Sequence, residues 1–200
     1  MTTATLEAPA TLTFDPLAAA IAEGDGVPDS EAAPGPGTDA PGRTKDLVIV
    51  DWSGDLDKVW PVLILSSTAA ASGLRCRVFV TFWGLLPFVK DGKRIVGESW
   101  MQKMLTLMQR PGIDHLKLSR MNFLGMGPWM MGTLRKRYGV ASPRELLQAA
   151  TALGVEFIPC QMSMDMFGIK REDLIDGMGE PAGAATAIEI MTEANASLFI

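Results

Sequence analysis

Cys160 is the residue of this chain whose neighbours best prepare it for chemistry. It follows directly after VEFIP (155–159), a short apolar run that reads as a buried strand, and it precedes residues 162–167, a helical turn stopped by Gly168. In open α/β sheets, reactive groups gather at the carboxyl ends of strands. A thiol there also meets unpaired N–H groups and the positive end of a helix dipole. Both favour the thiolate, which is the nucleophilic form. Such a thiolate can accept a sulfane sulfur and pass it on. The same placement equally suits a small buried hydrophobe, since free cysteines are often buried.

Few other groups invite chemistry. Cys76 is the second residue of another predicted strand, RCRVFVTF (75–82). If the strands run parallel, Phe82 is level with Cys160, and the six intervening steps place Cys76 roughly 20 Å away. A disulfide needs Cα atoms within about 7 Å, so Cys76 reads as structural. One histidine, His115, and no CxxC pair supply too few soft ligands for a closed zinc site. No metal and no cofactor are therefore expected, and His115 reads as a surface or interface group. Trp52-Ser53-Gly54-Asp55 lacks the pattern of a phosphate loop. Asp51 and Asp55 end the first strand near the same sheet edge as Cys160 and are candidates to contact a ligand, although Asp55 also suits a helix cap.

The elements that must position Cys160 can be read along the chain. DLVIVDW (46–52) is a buried strand, and Ser53 or Asp55 caps a helix running to about Ser72 and stopping at Gly73. After the second strand come a short helical piece at 85–90 and a helix at 98–109, with Met101, Met104, Leu105 and Met108 at helical spacing. A helix at 128–138 ends in Arg135-Lys136-Arg137, which suits a helix C-terminus. Ser142-Pro143-Arg144-Glu145 supplies an N-cap, a proline at the first helical position and a capping-box acid, for a helix ending at Gly154. Beyond Cys160, a short strand is expected near 175–178, then an Ala-rich helix at 181–193 and a last strand, ASLFI, at 196–200. Strands alternating with helices imply a layered α/β fold with a largely parallel sheet.

Composition bounds the function. The 200 residues suggest one domain with a tail, and 48% hydrophobic content suffices for a core. Residues 1–44 are rich in Ala, Pro and Gly and hold seven acids against one base, Arg43, a net of −6. They read as a disordered tail before an α/β domain at 45–200. The chain's −5 then leaves about +1 for residues 45–200, too little positive charge for nucleic-acid binding. No secretory signal is evident, and the most apolar stretch, 59–71, is too short to span a bilayer, so a cytoplasmic protein is the default. Twelve of thirteen methionines fall between residues 101 and 191, and methionine makes adaptable packing and partner surfaces. LGMGPWMMGTLRKRYG (124–139) reads as an interface or lid, or else as a core helix. Peripheral membrane contact is a further reading, through 85–89 or 124–131.

Three segments together resemble one family. IPCQMSMDMFGIKREDLIDG (158–177) resembles the cysteine motif of DsrE/DsrF-like proteins, in the branch often described as peroxiredoxin-like. VFVTFWGL (78–85) resembles that family's second-strand segment and MNFLGMGPWMM (121–131) its Met- and Gly-rich segment, in the same order along about residues 46–200. The resemblance implies a three-layer α/β/α fold with a mainly parallel five-stranded sheet, and a homo-oligomer, often a trimer or hexamer. It implies that the family's reactive cysteine is Cys160, with Gln161, Ser163 and Asp165 in the matching motif as supporting residues. It further implies cytoplasmic sulfur trafficking, with persulfide sulfur passed among rhodanese-like and TusA-like carriers. Peroxidase activity is not implied, because CQMSMD lacks the Thr-x-x-Cys arrangement of true peroxiredoxins. The alternative is a non-catalytic oligomeric module that binds a nucleotide or coenzyme A in the sheet crevice.

Overall fold

A computed structural model of the chain describes residues 45–92, 110–120 and 122–200. The expected tail at 1–44 and the expected helix at 98–109 lie outside the described residues.

Four strands form one parallel sheet: β1 (Asp46–Asp51), β2 (Arg75–Val80), β3 (Glu156–Pro159) and β4 (Ala196–Phe199). Their order is β3-β2-β1-β4, so the chain begins in the middle of the sheet and finishes at one edge. Leu47, Val48, Ile49 and Val50 make β1 suit this central place, since parallel strands covered on both faces are continuously apolar.

Among the described residues, five α-helices accompany the strands: α1 (Leu56–Ala71), α2 (Met126–Tyr138), α3 (Pro143–Ala152), α4 (Gln161–Phe167) and α5 (Ala184–Glu193). On one face of the sheet, Val59 and Leu63 of α1 and Ala150 of α3 pack with Ile49, Val78 and Phe157. On the other, Ala187 and Ile190 of α5 pack with Val48, Val50, Phe79 and Ile158. The fold is therefore the expected three-layer α/β/α arrangement. Each fully buried Leu, Ile or Phe contributes about 1.5–3 kcal/mol.

Local signals acted as read. The Ser142 hydroxyl accepts the Glu145 N–H and the Glu145 carboxylate accepts the Ser142 N–H, closing the capping box of α3. Gly168 ends α4 with φ 69°, a left-handed conformation that glycine adopts without strain.

The sheet has four strands among the described residues, where five were expected. Near 175–178 the chain makes only single bridges along the outer edge of β3, Phe157 with Met178 and Cys160 with Ala182. Gly177, Gly179 and Pro181 interrupt that stretch: glycine weakens a strand interior and proline cannot donate to a ladder. The second strand also stops early. It ends at Val80, and residues Phe82–Phe88 wind into a 3-10 helix.

Candidate functional site: the Cys160 thiol

Cys160 sits where β3 meets α4. Its N–H donates to the Val80 carbonyl (2.9 Å), so it continues the β2–β3 ladder by one residue. Its carbonyl accepts the Met164 N–H (3.0 Å) and starts the helix. The register pairs Val80 with Pro159, which sets Thr81 level with Cys160. The side chain is buried, at 2% exposure, among Val50, Phe79, Ile158 and α5.

Burial alone would push this thiol's pKa up. It is instead lowered, because the Ser163 and Thr81 hydroxyls and the Ser163 and Met162 amides stabilise the thiolate. These two amides belong to the first turn of α4, which Cys160 precedes as N-cap residue.

Ser163 links the thiol to the end of β2. The Phe82 N–H donates to Ser163 Oγ (2.9 Å), and Thr81 Oγ1 lies 3.1 Å from the same atom. Ser163 and Thr81 each hold one hydroxyl proton, to give to the sulfur or to one another. Ser163 is itself buried, at 1% exposure. Phe82 reaches it only because its backbone turns to φ 50°, a conformation that costs a non-glycine residue about 1–3 kcal/mol. Three aromatic rings hold that turn: Phe82 meets Trp83 edge-on at 5.1 Å, and Trp83 stacks on Phe167 of α4 at 5.1 Å.

The other expected site residues are placed differently. Gln161 and Asp165 pair with one another on the exposed side of α4, Gln161 Nε2 donating to Asp165 Oδ1 at 2.8 Å. Asp51 reaches the same end of the sheet but the opposite face. By strand alternation it lies with Ile49, whereas Cys160 packs with Val48 and Val50. Its carboxyl is fully buried; among the described residues it receives one long hydrogen bond, from the Ser53 N–H at 3.3 Å, and Oδ2 has no partner. Burial pushes its pKa up to about 8, against the smaller lowering effect of that amide. Gly84 lies against this residue: a Cβ there would collide with the Asp51 backbone carbonyl oxygen.

Thr81 and the Phe82 amide were not singled out from the sequence. The available signal was a hydroxyl residue immediately after an apolar strand, at the edge where Cys160 was expected. Among the described residues, no group of three or more His, Cys, Asp or Glu side chains is arranged to hold a metal ion.

The family model described as DsrE/DsrF/DrsH-like matches residues 43–199. The chain belongs to this family. Its relatives include the uncharacterized protein YrkE of Bacillus subtilis strain 168, 35% identical over 158 residues, which cover 79% of this chain and 98% of YrkE. They also include the sulfur carrier protein DsrE2 of Allochromatium vinosum, 37% identical over 160 residues, covering 78% of this chain and 98% of that one. Among solved structures, the family member is similar to the ychN protein of E. coli, with a TM-score of 0.48 and 16% identity over 79% of this chain and all of that one.

Proposed function

We propose that this protein is a sulfur carrier, or sulfurtransferase, that holds sulfane sulfur as a persulfide on Cys160. The observation that carries the reading is the set of donors around a buried sulfur, two hydroxyls and two amides, which lower a thiol pKa that burial would raise. Kinship with a sulfur carrier, DsrE2 of Allochromatium vinosum, supports the same chemistry.

In the proposed step the Cys160 thiolate attacks the outer sulfur of a donor persulfide, R–S–SH. A bond forms between Sγ and that sulfur, the R–S bond to it breaks, and R–S⁻ leaves. Cys160 is then Cys–S–SH, and an acceptor thiolate repeats the exchange in the other direction. No electrons enter or leave the pair. Sγ must become accessible for each exchange, and the neighbouring Met162, 69% exposed, marks the rim from which a partner approaches. The reading places the protein in the cytoplasm, as a homo-oligomer, with rhodanese-like and TusA-like carriers as donor and acceptor.

Intact-protein mass spectrometry after polysulfide treatment tests it. Wild type and Cys76→Ser should gain whole sulfur atoms that a reductant removes, and Cys160→Ser should gain none. A wild type that stays unloaded, or a Cys160→Ser that loads equally, overturns the proposal.

A further inference from the structure

Helix α2 is inside out. Successive residues of a helix are turned by 100°, which places Met126, Trp129, Met130 and Leu134 on one side. That side faces solvent: the four are 60%, 71%, 42% and 39% exposed. Further round the helix, from the buried Gly127 through the half-buried Met131 to the half-buried Arg135, it turns to the protein. A soluble helix normally shows the reverse pattern, so this apolar side is built to be covered.

Charge says by what. From His115 to Arg144 the chain has six Lys or Arg and no Asp or Glu. Arg144 is engaged by Asp91 and Asp114, and Arg135 by Glu145. Lys136 and Arg137 remain exposed beside the apolar stripe, followed by Tyr138 at 73% exposure. We propose that α2 docks this protein onto an anionic phospholipid bilayer. An amphipathic helix lies in the interface plane with its apolar side in the acyl boundary and its cations at the headgroups. Trp129, on that apolar side, suits the boundary, being a ring system with one polar tip. A second copy of this chain fits the face less well: in a two-fold contact of α2 with α2, Lys136 and Arg137 would find no acid on the partner helix. The other apolar segment at 85–89 is excluded from this role, since Leu85, Leu86, Phe88 and Val89 are all core residues. The inference is independent of the sulfur chemistry.

The test is co-sedimentation of the full-length protein with vesicles of phosphatidylcholine alone, or of phosphatidylcholine with phosphatidylglycerol. Binding to the anionic vesicles only, weakened by salt, is expected. Lys136→Glu with Arg137→Glu should lower the partition coefficient by at least about 25-fold, at about fivefold per cation. Trp129→Ala with Met130→Ala should lower it severalfold, with an unchanged far-UV spectrum because both side chains are exposed. No binding to anionic vesicles, or equal binding by wild type and both double variants, overturns the proposal. So does loss of self-association in Trp129→Ala/Met130→Ala without any vesicle binding, which would assign the face to a second copy.

Discussion

Cys76 and Cys160 lie on adjacent strands and are equally hidden, at 1% and 2% exposure, yet the protein treats them in opposite ways. Cys76 is at the amino end of β2, where burial and the Asp46 carboxylate push its thiol up to about 11. Cys160 is at the carboxyl end of β3, where hydroxyls and amides overcome burial and bring the thiol down. Thr81 is level with Cys160 and five residues from Cys76, about 17 Å along the strand, and the two sulfurs pack on opposite faces of the sheet. Burial is thus no guide to reactivity by itself. The number and aim of donors around the sulfur decide it.

The largest effect on this contrast should come from Ser163→Ala, which removes the hydroxyl that contributes most to lowering the Cys160 pKa. A hydrogen bond to a charged group is worth about 1.5–3 kcal/mol, or about one to two pKa units. Alkylation of Cys160 by iodoacetamide near neutral pH should slow about tenfold or more. An unchanged rate would break the comparison. Thr81→Val should do less, roughly threefold, because Thr81 contributes less than Ser163 to lowering the thiol.

Asp51 sharpens the argument with a third buried acid, one with a single weak donor. Its pKa rises from 3.8 to about 8, so the fold holds that proton more tightly than the unfolded chain does. The associated stability is complete below about pH 4 and is lost as pH climbs through about 8. Asp51→Asn should flatten that decline and be more stable than wild type at pH 9 by at least about 1 kcal/mol in urea unfolding. A wild type whose stability rises over this range would contradict it. The smallest effect belongs to Cys76→Ala: neither sulfur loading nor the alkylation rate of Cys160 should change, as followed by the same mass and rate assays.

Much of this site could be read along the chain. The strand-to-helix passage at residues 155–167 located Cys160 because an apolar β run ending before a short helix leaves little choice of placement. The capping box at Ser142 and Glu145 was equally local. What failed was anything depending on register or strain. The sequence reading put Phe82 level with Cys160, because RCRVFVTF looks like one strand. The strand stops at Val80, and Phe82 departs with φ 50°, making Thr81 the neighbour of the thiol. That one-residue difference also aims the Phe82 amide at Ser163, a link 81 residues apart in sequence that no local pattern encodes. Asp51 was read from its place at a strand end, but alternation sends its side chain to the far face. Gln161 and Asp165, legible as neighbours at i and i+4, satisfy each other on the surface.

The most direct measurement is the pH dependence of alkylation at each cysteine, followed by peptide mass spectrometry in Cys76→Ala, Cys160→Ser and wild type. The account predicts two well-separated titrations, Cys160 below the ordinary thiol value and Cys76 near 11. A Cys160 that titrates with Cys76, or above it, would contradict the claim that the hydroxyls and amides at this strand end make a carrier thiolate.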